Sequence, residues 1–389
     1  MVPPVKRAIA LDAPHLQRQV KLKTAVGRPK ERNSIFARAW RAFARAATGK
    51  PNLPVFAHDV ISAPLPEGVN AEIINICNAD CSFCGYGKGE DGKAADPRVK
   101  RKLDPAVFRH LLKIFNESGG GRFSLTPILG EVTAHPDWLK MVREARLWPN
   151  VKEVNCFTNA ILLDRFGSKE VLTSGLTHMS VSTSLGGREQ YKRLYGVDKF
   201  DVVVKNVLDL LRTNKELGLP VEIDLMLRMD KPFDDFFASP LYAELTLLID
   251  AKRVHMLDDN WDDFRGIIGQ EGIPKGHTFK DQYADKSTPC YALFRQLEVL
   301  GDGTIQGCTC RVEPELWGGN IKKYDSLFEA WKDPGLERLR ENWFNGTLSE
   351  CCKGCSHYIP YTNLARGGAP KAVFRSALGR LRRAVLSKA

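Results

Sequence analysis

Between about residue 70 and residue 260 the chain alternates strand-like and helix-like runs, and this limits its fold more than any other feature of its 389 residues. Strand-like runs fall at 72–76, 122–129, 151–157, 178–184, 221–227 and 252–256. Helix-like runs lie between them, at roughly 104–118, 136–147, 163–174, 201–216 and 236–249. Six strands with helices between them and short turns imply an α/β fold with a parallel sheet covered by helices. Ligands of such sheets sit at the carboxyl ends of the strands. The first strand runs straight into three cysteines, Cys77, Cys81 and Cys84, in the order Cys-x3-Cys-x2-Cys.

Three thiolates cannot fill the shell of a four-iron cluster, so one iron stays open for another ligand. Zinc also takes thiolates, but the segment Ile76 to Gly87 offers no histidine as a fourth ligand. Disulfides are disfavoured because Met1 to Asp12 has no apolar segment suited to secretion, and a cytoplasmic location is expected. No apolar run approaches the ~20 residues that cross a bilayer. Ten cysteines in such a chain point to metal.

The cysteine segment, with the aromatic Phe83 before its last cysteine, resembles the signature of the radical S-adenosylmethionine (SAM) enzymes. The resemblance implies a partial (β/α)6 TIM-like barrel and a [4Fe–4S] cluster held by Cys77, Cys81 and Cys84. SAM then chelates the fourth iron, and an electron from the cluster cleaves its sulfonium. The resulting 5′-deoxyadenosyl radical takes a hydrogen atom from the substrate. A flavodoxin- or ferredoxin-type protein is the expected electron donor.

Other strand ends are similar to the family's SAM contacts. Gly130-Glu131, after the second strand, resembles the glycine–glutamate motif that holds the SAM amino group, although Leu129 and Val132 replace the usual Gly and Pro. Thr158-Asn159 ends the third strand, with Ala160 in a glycine place. Ser184 takes the place of the serine that bonds the SAM ribose, while Gly186 replaces the usual Asp. Arg228, ending the fifth strand, is expected to reach the SAM carboxylate or the substrate.

A second cysteine group follows. Cys290, Cys308, Cys352 and Cys355 have the spacing of the auxiliary-cluster module of many radical SAM enzymes, and no cysteine follows Cys355. The module therefore resembles the single-cluster twitch form of the SPASM domain. Four thiolates complete the shell of one auxiliary [4Fe–4S] cluster; a zinc knuckle takes the same set. Cys310 and Cys351 are spare.

The expected domains are a basic extension with an amphipathic helix and linker at 1–69, the radical SAM core at 70–260, the auxiliary-cluster domain at 261–358, and a basic amphipathic helix at 359–389. Residues 1–50 carry a net charge of +10 and residues 366–389 carry +7, against +11 for the whole chain, so the body is mildly acidic. Nucleic acid is not expected as a partner. Both terminal helices, at 33–48 and after Pro370, segregate arginine from apolar residues as interfacial helices do. They raise a membrane surface as a partner, and a peripheral location at the inner membrane.

The expected reaction is a two-electron oxidation, or a rearrangement, at an unactivated C–H bond of a sugar, cyclitol or lipid-linked substrate. The auxiliary cluster is the expected electron acceptor, and a general base takes the proton; Glu72, Asp224, Asp258 and Asp259 are candidates. A peptide maturase is the rival enzyme, but residues 1–70 are too basic and too poor in strands for its leader-binding winged helix.

Overall fold

The computed structural model describes residues 65–85, 98–257, 261–264, 266–280, 286 and 289–360. The expected terminal helices, most of the proline-rich linker, and Asp258 and Asp259 lie outside the described residues.

Six parallel strands carry the core: β1 (Gly68–Ala71), β2 (Gly121–Ser124), β3 (Val151–Thr158), β4 (His178–Thr183), β5 (Glu222–Leu227) and β6 (Val254–Met256). Between them run α1 (Pro105–Glu117), α2 (Trp138–Arg146), α3 (Ser168–Leu172), α4 (Arg188–Tyr195), α5 (Phe200–Glu216), α6 (Asp234–Phe237) and α7 (Pro240–Leu248). Local chemistry sets the boundaries. Pro105 opens α1, where a missing N–H costs nothing, and Asp104 accepts from Ala106 N at 2.7 Å. The face Val107, Phe108, Leu111, Leu112 and Phe115 is buried.

The strands alternate in the same way. Phe123, Val154, Cys156, Met179, Val181, Ile223, Leu225 and Leu227 point into the apolar core. The opposite parity, including Asn70, Phe157, His178, Ser182 and Asp224, keeps some exposure and forms an open polar face. This is the parallel sheet the alternation implies, in the partial (β/α)6 barrel that the family resemblance implies.

The C-terminal part continues the same sheet. It contains α8 (Tyr291–Arg295), β7 (Gln296–Val299), β8 (Thr304–Gln306), β9 (Trp317–Asn320), α9 (Leu327–Trp331), α10 (Pro334–Asn345) and α11 (Glu350–Lys353). The nine strands run in the order β6-β5-β4-β3-β2-β1-β7-β8-β9. Strand β7 pairs parallel with β1, and β7–β8 is the expected hairpin around Gly301–Gly303. The break expected at Pro334 separates α9 from α10, with Asp333 capping Gly335 N and Leu336 N at 2.7 and 3.1 Å. The sheet thus crosses the boundary expected at residues 260–261.

Several elements differ from expectation: β2 ends at Ser124 rather than at 129, and the helix expected at 163–174 is a 3-10 turn, Leu163–Arg165, followed by the short α3. The ladder of β1 covers 68–71 rather than 72–76, because residues 73 and 74 leave the sheet to pair with 102 and 103. Leu293 is helical rather than part of the hairpin. Helix α4 was not foreseen; its apolar side is only Tyr191, Leu194 and Tyr195.

Candidate functional site

The cysteine loop leaves β1 at the carboxyl end of the sheet and is held on three sides. Helix α4 ends beneath it. Asp80 N donates to Tyr195 O and Ser82 N to Leu194 O, both at 3.0 Å, filling carbonyls that a helix end otherwise leaves unpaired. On a second side Gly130, at φ +132°, lies against Ile74 and Ile76, and Glu131 N donates to Ile76 O at 3.0 Å. A Cβ at Gly130 would stand 2.6 Å from Ile74 O, so only glycine fits. On the third side the segment after β6 folds over the loop. Trp261 meets Phe83 edge-on with ring centroids 5.5 Å apart, and Trp261, Ile268 and Ile273 form a small core with Phe83 and Phe264. His277 fixes this cover: its Nδ1 accepts from Trp261 Nε1 at 3.1 Å, and its Nε2 donates to Met229 O at 2.9 Å.

Cys81 is pushed well above the usual thiol range by burial, then by the charges of Cys84 and Cys77. Cys77, Cys81 and Cys84 thus raise one another's cost of ionisation, a cost that bound iron would relieve. Arg228 pulls the other way. Its guanidinium lies 5.2 Å from the centre of the Phe83 ring and donates to Ser182 Oγ.

The other expected SAM contacts fall together at the ends of β2, β3 and β4, but several are already occupied. Glu131 Oε1 accepts from Thr133 N, Thr133 Oγ1 and Thr158 Oγ1 at 3.1, 2.7 and 2.6 Å; Oε2 accepts from Asn159 N at 2.7 Å. A carboxylate offers about four acceptor sites, so this one is engaged by the protein and ties the Gly130–Glu131 turn to Thr158–Asn159. Ser184 is 0% exposed and accepts from Gln190 Nε2 at 2.6 Å. Ser182 at this strand end is half-buried, and its hydroxyl accepts from Arg228. Gly186 accommodates the same glutamine, whose amide would lie 2.2 Å from an added Cβ. Asn159 Nδ2 donates to Asn78 Oδ1 at 2.7 Å, while Asn78 Nδ2, next to Cys77, is buried without a partner. That free donor, beside three gathered thiols, fits a bound group carrying acceptors.

The second cysteine group converges as the spacing implies. Cys290, Cys308, Cys352 and Cys355 line one cavity, with Leu293, Leu316, Trp343 and Arg311 among its walls. Four thiols from α8, the end of β8 and the α11 turn suit a four-iron shell. Among the described residues, no three Cys, His, Asp or Glu side chains form a site for a single metal ion. Burial pushes Cys355 up to about 12, with Arg311 opposing it. Cys310 is lowered to about 6, chiefly by the hydrogen bond from Cys308. Cys351 is buried in the same wall, and Cys156 lies in the barrel core.

Below the first cysteine loop the open face holds a polar group that includes one of the candidate bases. Asp224 Oδ1 lies 3.1 Å from His255 Nε2 and 3.2 Å from Arg253 Nη1; Oδ2 lies 3.2 Å from His178 Nε2. Burial raises the Asp224 pKa, but the His255 hydrogen bond and the charges of His178 and Arg253 outweigh it and hold the group below the usual range. Phe157, 46% exposed, stands on the same face opposite Ser180. His255 pairs in register with Met226, two residues before Arg228, which places it about 7 Å below that level. Glu72, by contrast, is fully buried, paired with Arg98 at 2.7 Å and accepting from Leu129 N and Gly301 N. The histidines were missed in sequence; their parity with Asp224 on neighbouring strands was the available signal.

Residues 71–235 match the model of the radical SAM superfamily, and residues 290–356 match that of SPASM, an iron-sulfur cluster-binding domain. The chain belongs to the radical SAM enzymes and carries a C-terminal SPASM-type domain. Its cofactors are the SAM-binding [4Fe–4S] cluster and an auxiliary cluster. Among named relatives, a "Probable GTP 3',8-cyclase" of Saccharolobus islandicus (strain Y.N.15.51 / Yellowstone #2) is 26% identical over 335 residues, 83% of this chain and 94% of that protein. Molybdenum cofactor biosynthesis protein moc-5 of Caenorhabditis elegans is 31% identical over 131 residues, 34% of this chain and 21% of that protein. A crystal structure of BtrN in complex with AdoMet and 2-DOIA aligns at a TM-score of 0.49 and 15% identity, over 75% of this chain and 93% of that one.

Proposed function

We propose that this enzyme removes two electrons and two hydrogens from a hydroxylated small molecule of the sugar or cyclitol kind. The supporting observation is the cavity on which Cys290, Cys308, Cys352 and Cys355 converge, with Cys351 also in its wall. Four protein thiolates leave no iron open for substrate, which suits an electron acceptor. When bound, SAM and its cluster supply the hydrogen-abstracting radical, and the auxiliary cluster supplies a one-electron sink. The protein's own side chains do the rest. Phe157 offers a flat apolar surface on the open face. His255, oriented by ionised Asp224, takes the proton from the substrate hydroxyl as the carbonyl forms. Loss of a hydrogen atom, an electron and that proton balances the oxidation.

The second reading is a rearrangement of a purine nucleotide. It is favoured by the relative spanning 94% of its own length that carries the cyclase name. Product mass separates the two readings. Anaerobically reconstituted full-length enzyme would be incubated with SAM and dithionite, and with GTP or a panel of sugars and cyclitols. Formation of 5′-deoxyadenosine with a product two hydrogens lighter supports oxidation. A product of unchanged mass from GTP, without any oxidised product from the panel, overturns it.

A further inference from the structure

A buried ion pair stands between the two cysteine sites. Arg311 Nη2 lies 2.6 Å from Asp262 Oδ2, and each side chain is 2% exposed. Asp262 belongs to the segment covering the first cysteine loop. Its neighbour Trp261 packs on Phe83, and Phe264 presses on Gly85, just after Cys84. Arg311 follows β8 and lines the cavity shared by Cys290, Cys308, Cys352 and Cys355. Its guanidinium also lies 4.4 Å from the centre of the Phe264 ring. Asp262 is not part of that cavity wall; its Oδ1 accepts from Ser356 Oγ and from Phe264 N. Arg311 thus faces the thiols, with Glu313 Oε1 4.0 Å from its Nη1, and Asp262, which also has His357 Nε2 3.6 Å from its Oδ2, stands behind it.

Burial makes such a pair a poor source of stability, because desolvating both ions costs about as much as their attraction returns. Its electrostatic effect on the cavity is larger. In a medium of low dielectric, a fixed positive charge beside an iron–sulfur centre favours the form carrying one more electron. The potentials of such centres follow the charge and hydrogen bonding around them. We propose that Arg311 raises the electron affinity of the auxiliary cluster and that Asp262, delivered from the barrel side, limits that effect. Asp262 and Arg311 are positioning residues for the electron acceptor, whatever the substrate.

The full-length chain with Cys77, Cys81 and Cys84 all replaced by Ala leaves one cluster to titrate. In that background Asp262→Asn exposes the arginine's charge, and the midpoint potential read by electron paramagnetic resonance shifts positive. Arg311→Gln shifts it negative. Arg311→Lys, which keeps the charge, stays near the parent. Iron content of about four per chain identifies the variants that hold their cluster. Unchanged potentials in Asp262→Asn and Arg311→Gln overturn the proposal. So do shifts of the same sign in both, the outcome of loosened packing alone. Should Arg311→Gln lose its iron, Asp262→Asn decides alone: a positive shift supports the proposal and its absence overturns it.

Discussion

Ser82, between Cys81 and Phe83, donates its hydroxyl to the carbonyl of Gly272, 2.8 Å away and 190 residues along the chain. The loop that carries the three cysteines is thus fastened to the segment after β6. Gly272 is tightly placed: a Cβ there would lie 2.7 Å from Ser82 O. Ser82→Ala is expected to lose about 1 kcal/mol, the usual worth of one such bond. Gly272→Ala is expected to lose more, because the Ser82 carbonyl and the buried Ile268 side chain both obstruct it. Denaturant unfolding of the reconstituted enzyme, with iron counting, checks both.

Gly85 and Phe264 give a paired test. An added Cβ at Gly85 would stand 2.2 Å from the Phe264 ring. Phe264 itself holds φ +49°, a backbone state unfavourable for an aromatic residue. Gly85→Ala is expected to destabilise the enzyme by about 1–3 kcal/mol, as overpacking does. Adding Phe264→Ala should recover part of that loss. A double variant as unstable as the two single losses combined would show that the residues do not compete for space.

Glu298 predicts a pH effect. It is 0% exposed, accepts from Asn70 Nδ2 at 2.8 and 2.6 Å, and is pushed well above the carboxyl range by burial, with Asn70 opposing and Glu72 adding. Near pH 4 both folded and unfolded chains hold the proton. As pH rises past 4.5, the unfolded chain releases it first, so this group's contribution falls until the folded carboxyl also ionises. Glu298→Gln has no proton to lose and faces Gln306, whose Oε1 is buried without a partner. Its stability advantage over the parent is expected to grow between pH 5 and 8 in denaturant melts.

Arg228, Ser182 and Ser184 separate SAM binding from packing. Arg228→Ala and Ser182→Ala are expected to weaken SAM affinity, roughly tenfold for the arginine if one charge-assisted bond is lost. Ser184→Ala removes the Gln190 partner and is expected to cost about 1 kcal/mol of stability with SAM affinity unchanged. Equilibrium dialysis with labelled SAM distinguishes these outcomes.

The cysteine chemistry was legible because it depends on short spacings: the first three lie within eight residues, and the four that share a cavity carry their own turn and hairpin signals. The parallel sheet was legible from alternating runs whose buried parity is continuous, as at Met179, Val181 and Thr183; its closing into a barrel came from the family resemblance. Helix α4 was not, since three apolar residues in eight give a weak stripe. The cover over the loop was hidden for another reason: Trp261, His277 and Met229 meet only through the tertiary fold, and nothing local brings them together. Glu131 was recognised by its place at the strand end, but its hydrogen bonds to Thr133, Thr158 and Asn159 depend on how two strand ends come to rest. The same holds for Ser182 against Ser184, where Arg228 takes one hydroxyl and Gln190 the other.

Strand β7 lies along the flank of β1 that the six-stranded core would otherwise leave bare. A chain cut before Gln296 would present the amides and carbonyls of Gly68–Ala71 as a raw margin beside Val69 and Ala71, inviting other molecules to attach there. The SPASM-type domain is therefore not a detachable accessory: its strand β7 completes the edge of the barrel sheet.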